Sequence, residues 1–229
     1  MPWLPESVST FAGEIDFLFY VILWITGAIF VLVEAALLWF SFRYRHREGR
    51  RAEHHHGNLK VEAIWTAIPF VIVMALGAMS FGSWSRIKNP ERFPQPGLEV
   101  AVHASQFEWL VTYPGADGEL GTDDDFEKRN QLHVPVGRPV LVHLTAEDVI
   151  HSFFLPHMRV KQDAVPGMDQ TLWFEATEPG TYELACAELC GTGHTRMRAT
   201  VTVHTTEAFE TWNRTESGMG IQATNGSIE

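Results

Sequence analysis

The sequence predicts a membrane hairpin of two helices followed by an all-β domain, and three features predict it. Two long apolar runs lie early in the chain, and a strongly basic loop separates them. After residue 85 the pattern changes to short alternating runs divided by Pro-Gly turns.

The N-terminal segment, 1–16, holds Glu6, Glu14 and Asp16 and no Lys or Arg. It lacks the basic flank of a cleavable signal and is read as retained and outward-facing. Segment 17–42 carries one charged residue, Glu34, in 26. At about 1.5 Å per residue it is long enough to cross a hydrocarbon core of about 30 Å. Segment 63–84 has no charged residue in 22 and contains Pro69, which membrane helices tolerate when neighbouring groups satisfy the freed backbone.

Between these spans, in loop 43–62, stand Arg43, Arg45, Arg47, Arg50, Arg51 and Lys60. Positive charge stays on the cytoplasmic side, so both termini face outward. The run His54, His55, His56 reads as a solvated loop rather than a metal tract. Glu34 is a functional candidate because carboxylates inside a membrane are expensive, and a hydrogen bond to a neighbouring subunit accounts for it equally well.

From residue 85 onward there are 21 Asp and Glu against 11 Lys and Arg, so this part carries nearly all of the chain's net charge of −11. Such a field disfavours nucleic acid and favours a basic partner. The runs LEVAVHA, FEWLVTY, PVLVHLT, QTLWFEA, TYELAC and RATVTVH read as strands, with turns at Pro114-Gly115, Pro166-Gly167 and Pro179-Gly180. Thr205-Thr206 followed by Glu207 opens a capped short helix running to Trp212. The domain is assigned to 85–213, and the tail, 214–229, reads as flexible.

The stretch CAELCGTGHTRM places Cys186, Cys190, His194 and Met197 within twelve residues, and His151 begins HSFFLPHM upstream. Thiolate and thioether sulfur select copper, zinc or iron–sulfur clusters, and imidazole suits copper and zinc. The residues alone are compatible with a Cys186–Cys190 disulfide, a structural zinc site, or a mononuclear blue-copper site that leaves one cysteine unexplained. They are also compatible with two copper ions bridged by both thiolates, each with one histidine, and with Met197 and the Glu188 carbonyl as weak axial contacts.

At this point a resemblance becomes specific. The segment DVIHS at 148–152, paired with Cys-x-Glu-x-Cys-x-x-x-His-x-x-Met, resembles subunit II of the haem–copper oxidases. The likeness extends through VKQDAVPG at 160–167 and EAIWTAIP at 62–69 and covers roughly 16–212. It implies a cupredoxin-like Greek-key barrel with a binuclear CuA centre held by His151, Cys186, Glu188 through its carbonyl, Cys190, His194 and Met197. It also implies a magnesium ion bound by the Glu188 side chain at the contact with subunit I, and Glu62 at the mouth of a proton channel. Electrons would come from a c-type cytochrome, or from the haem c module of a quinol-oxidising complex. They would pass to haem in subunit I, where oxygen is reduced to water and protons are pumped. The expected setting is the inner or plasma membrane of a prokaryote, with other oxidase subunits and lipid as neighbours.

One position departs from the family pattern. Gln106 is followed by Phe107 rather than tryptophan, and then by Glu108 and Trp109. Trp109 is the candidate for the point where the electron arrives, with Phe107 and Tyr113 alternatively read as core. The insertion DGELGTDDDFE at 117–127 lacks the spacing of an EF-hand and reads as an acidic turn that offers calcium or a basic donor some oxygens. No Cys-x-x-Cys-His occurs, which excludes a covalently attached haem c on this chain. Nitrous-oxide reductase shares the copper centre but places it behind a propeller, and the quinol oxidase subunit shares the fold without the ligands. A copper-delivery protein would not call for two membrane spans.

Overall fold

The structure, a computed structural model, describes residues 3–51, 54 and 56–217. Its contacts form two compact units, one comprising Glu14–Trp84 and one in which the N-terminal residues up to Gly13 join the chain from Ser85 onward.

Helices α1 (Ala12–Arg43) and α2 (Leu59–Lys88) have 32 and 30 residues, lengths of about 48 and 45 Å at 1.5 Å per residue. Both are long and apolar enough to cross a membrane, and their apolar windows are not buried within the chain. Trp24, Phe30, Leu38, Phe70 and Val73 are exposed, as suits side chains meeting lipid or other helices. Hydroxyls inside the spans are satisfied locally: Thr26 Oγ1 donates to the Ile22 carbonyl and Ser80 Oγ to the Leu76 carbonyl, each at 2.8 Å. Asn58 Oδ1 caps α2 by accepting from the Lys60 and Val61 N–H groups at 3.0 and 3.3 Å. Ser83 Oγ donates to Glu14 Oε1 at 2.5 Å, tying α2 to α1.

The expected all-β domain is found as two five-stranded sheets packed face to face. One has the order β3 (Phe126–Arg129), β2 (Glu108–Tyr113), β1 (Leu98–Ser105), β5 (Val140–Ala146), β8 (Gln170–Phe174). The other runs β4 (Gln131–Pro135), β10 (Arg198–His204), β9 (Gly180–Cys186), β6 (His151–Leu155), β7 (Val160–Ala164). All pairs are antiparallel except β1 with β5 and β10 with β4, which run parallel. The period of two is visible in β5, whose burial alternates along VLVHLTA so that Val140, Val142 and Leu144 enter the core. Six strands correspond to the alternating runs. The other four were not anticipated: β3 is a charged edge, β4 is five residues long, β6 is buried on both faces and so does not alternate, and β7 reads as polar.

The N-terminal segment is part of this domain. Val8 N–H donates to the His157 carbonyl at 2.9 Å, and Thr177 N–H to the Val8 carbonyl at 3.0 Å. Ser9 forms a β-bridge with Ala176, and its hydroxyl donates to the Met158 carbonyl at 2.8 Å. Val8 is fully buried, and Phe11 meets Trp173 edge-on at 5.3 Å.

Helix α3 (Thr206–Glu216) is capped by Thr205, whose hydroxyl accepts from Ala208 N–H. It extends one turn beyond the expected end at Trp212, and the tail from 218 lies outside the described residues. Trp212 stacks on His133 at 4.3 Å, and His133 Nδ1 lies 2.9 Å from His204 Nε2. Tyr113 Oη accepts from the His133 N–H at 2.6 Å beneath them. Burial, then the neighbouring His204 and Lys128, hold His133 down to about 4, and burial lowers His204 as well. A folded-state value below the ordinary 6.5 means that this contribution is complete above about pH 6.5 and is lost as pH falls toward 4. Acidification from pH 7 to pH 4 should therefore lower the thermal midpoint, and His133→Gln should flatten that dependence. Circular dichroism melts at both pH values check it.

Candidate metal centre

Two strand pairs bring the candidate ligands together. Strand β6 begins at His151 and meets β9 with Phe153 opposite Cys186, while β9 and β10 pair with Ala185 opposite Arg198. Cys186 N–H donates to the Met197 carbonyl at 3.1 Å and Ala187 N–H to the Ser152 carbonyl at 3.0 Å. The loop from Ala187 to Met197 is thereby pinned at both ends beside His151.

The donor atoms form one connected cluster. Cys186 Sγ lies 3.8 Å from Cys190 Sγ and 3.2 Å from the Glu188 carbonyl oxygen. Cys190 Sγ lies 3.7 Å from His194 Nδ1 and 3.8 Å from Met197 Sδ, and Met197 Sδ lies 3.2 Å from His151 Nδ1. Both cysteines are free and buried. Ligand atoms of His151, Cys186 and Cys190 all fall within 4.8 Å of one another. Metal–nitrogen and metal–sulfur bonds of about 2.0–2.3 Å in a tetrahedral arrangement separate neighbouring donors by about 3.3–3.8 Å, so the spacing suits soft metal ions. Two thiols, two imidazoles, a thioether and a carbonyl are a donor set that copper accepts. Burial, followed by the adjacent Cys186 thiol, pushes Cys190 up to about 11, so a metal ion must displace protons to bind.

Asp148 was not singled out from sequence. Its Oδ1 accepts from His151 Nε2 at 2.8 Å, and its Oδ2 accepts from Gln106 N–H at 2.7 Å. Burial alone would raise its pKa, but the hydrogen bonds from His151, Gln106 and Val149 hold it near about 2. The persistent carboxylate fixes the proton of His151 on Nε2 and leaves Nδ1 for a metal. Its place three residues before His151 in DVIHS was the available signal.

Trp109 is fully buried, edge-on to His151 at 6.2 Å and to Phe153 at 5.8 Å. It backs the site and offers no surface to a partner. The half-buried aromatic on the outer side is Phe107, whose ring lies over Gly191 and Gly193. Gly191 has φ +127°, a conformation that glycine adopts readily. At Gly193 φ is −92°, and the constraint there is space: an added Cβ would fall 2.4 Å from the Phe107 ring. Tyr113 is core.

The remaining candidates stand apart. Glu188 is exposed, Glu62 occupies the first turn of α2, and Glu34 is exposed in the second half of α1. In the acidic insertion, Asp124 Oδ2 accepts from Ala116 N–H at 2.5 Å and its Oδ1 from the Thr122 hydroxyl at 2.7 Å, while Asp125 accepts from Gly121 N–H at 2.7 Å. These carboxylates hold the turn's own backbone. Of the histidine run, His55 lies outside the described residues, and His54 and His56 meet edge-on at 4.7 Å.

Two family models match the chain: cytochrome c oxidase subunit II, periplasmic domain, over residues 103–204, and the transmembrane domain of the same subunit over residues 2–82. Cytochrome c oxidase subunit 2 of Thermostichus vulcanus is 36% identical, over 92% of this chain and 77% of that protein. The alternative cytochrome c oxidase subunit 2 of Bradyrhizobium diazoefficiens is 32% identical, over 92% and 83% respectively. A crystal structure of the periplasmic domain of the oxidase subunit II of Bradyrhizobium japonicum is 30% identical, covering 55% of this chain and 97% of that one, with a TM-score of 0.49.

Gly193→Ala should force the Phe107 ring aside at a cost of about 1–3 kcal/mol, seen as a lower thermal midpoint and weaker copper retention. Adding Phe107→Ala to that variant should restore both.

Proposed function

The chain belongs to the cytochrome c oxidase subunit II family, and from that premise we propose that it is the subunit through which electrons reach a membrane-bound terminal oxidase. The observation that carries this reading is the single connected cluster of six donors, all supplied by residues 151 and 186–197. His151 and His194 through Nδ1, the thiolates of Cys186 and Cys190, Met197 Sδ and the Glu188 carbonyl would together hold a pair of copper ions. Bound there, the copper pair would supply a one-electron carrier between a c-type cytochrome, or a haem c module of a quinol-oxidising complex, and haem in subunit I, where oxygen would be reduced to water with coupled proton pumping.

The protein's own groups prepare that site. Asp148 keeps the His151 proton on Nε2, while Trp109 and Phe153 exclude water behind it. Ligands held at both ends of a pinned loop move little when charge changes, which suits rapid electron transfer. The exposed carboxylate of Glu188 would bind magnesium at the contact with subunit I, and Glu62, in the first turn of α2, would stand at the mouth of a proton channel. Phe107, half-buried over the cysteine loop, would offer the donor an aromatic surface, and Trp109, edge-on to His151, would serve as the point where the electron arrives.

The proposed layout has 17–42 and 63–84 in the hydrocarbon and loop 43–62 on the cytoplasmic side, with 85–213 and the tail 214–229 on the periplasmic side of a prokaryotic inner or plasma membrane. Pairing of Ser9 with Ala176 supports it, because both must lie on the same side. Lipid surrounds the spans, other oxidase subunits flank them, and nucleic acid is not a partner.

Copper reconstitution of the full chain in detergent tests this reading. The expected result is two coppers per chain and an electron paramagnetic resonance spectrum with the unpaired spin shared between two copper nuclei, lost in Cys186→Ser. A single copper with hyperfine structure from one nucleus, or zinc alone, would sink it.

A further inference from the structure

The candidate ligands come from two segments, one ending at His151 and one running from Cys186 to Met197. The ladder between β6 and β9 pairs Phe153 with Cys186 and Phe154 with Ala185, and Ala187 N–H adds one bond to the Ser152 carbonyl. Beyond it, the residues before His151 and those around Cys190 need another tie. Gln106, in the turn between β1 and β2 and thus part of the opposite sheet, supplies one to each side. Its backbone N–H donates to Asp148 Oδ2 at 2.7 Å, and its side-chain Nε2 donates to the Cys190 carbonyl at 2.5 Å. Asp148 Oδ1 in turn accepts from His151 Nε2 at 2.8 Å. A continuous path of hydrogen bonds therefore runs from Cys190 through Gln106 and Asp148 to His151 without passing through a metal ion.

We propose that the turn between β1 and β2 is a clamp on the copper centre, with Gln106 as the positioning residue that sets the separation of its two ligand segments. Gln106 is exposed, so burial does not hold its side chain in place. A long polar side chain held still on a surface loses rotamer entropy, which a hydrogen bond must offset. The next residue, Phe107, lies against Gly191 and Gly193, so the same turn touches the cysteine loop just before His194 as well as at Cys190. Gln106 touches no donor atom in its own right. It acts through the carbonyl of one ligand residue and the carboxylate that orients another.

The proposal rests on the copper reading only for its second measurement. In metal-free full-length chain, Gln106→Leu should raise amide hydrogen exchange about three- to tenfold in the segments 148–153 and 186–197, the range expected for one lost hydrogen bond, with the rest of the β domain unchanged. With copper bound, the same variant should shift the visible bands and the copper hyperfine splitting while leaving copper content unchanged. Gln106→Glu, which sets a carboxylate against the Cys190 carbonyl, should exceed Gln106→Leu in both. Unchanged exchange in both segments would overturn the clamp, and so would faster exchange spread over the whole domain. Should the unsubstituted chain bind no copper, the functional reading fails, and the exchange rates alone carry or overturn the clamp.

Discussion

The register that sets Phe153 opposite Cys186 is the constraint on which the rest of the site depends. A slip of one residue would turn every side chain of β6 to the other face of the sheet, sending His151 away from the cysteines. That register is held by apolar burial. Phe153 and Leu184 are fully enclosed, and Trp109 reaches across from the other sheet to meet Phe153 edge-on. The chemistry at one end of the domain is therefore fixed by packing in its middle. Truncating a buried aromatic such as Phe153 would cost about 3–5 kcal/mol and would also displace a ligand.

The exposed charges of the domain have less to do with holding it together. Lys128 pairs with Glu216 and Arg138 with Glu210, both reaching α3. Exposed pairs of this kind contribute about 0–1 kcal/mol. The rings of Tyr113, Phe126, His133 and Trp212 bury more surface, in contacts with centroids 4.3–5.8 Å apart. The acidic excess is better understood as a long-range field acting on partners than as a source of stability.

Sequence patterns revealed what local chemistry dictates. The two long apolar runs announced α1 and α2, six alternating runs announced strands, and the spacing of Cys186, Cys190, His194 and Met197 announced a site for soft metal ions. Contacts that depend on tertiary approach were not legible. Nothing in the letters of Gln106 says that its amide reaches Cys190, 84 positions away. Phe107 lies in the turn just before β2 and Trp109 within it, and only the fold decides which of the two is enclosed. Val8 and Ser9 carry no alternating pattern because they form a single bridge rather than a ladder. Strand β6 was missed for the opposite reason: a strand covered on both faces loses the period of two.

The bridge from Ser9 to Ala176 joins two parts of the chain that, in the sequence, lie on either side of both membrane helices. The slot occupied by Val8 is built by residues made much later, near His157 and Thr177. During synthesis the N-terminal segment must wait for that slot, and it can enter only if the chain crosses the membrane an even number of times, so that both ends of the hairpin emerge on one side. A chain in which one helix alone had inserted would leave Val8 without its pocket and the sheet edge uncovered. The β domain thus reports on whether the two helices have inserted as a pair.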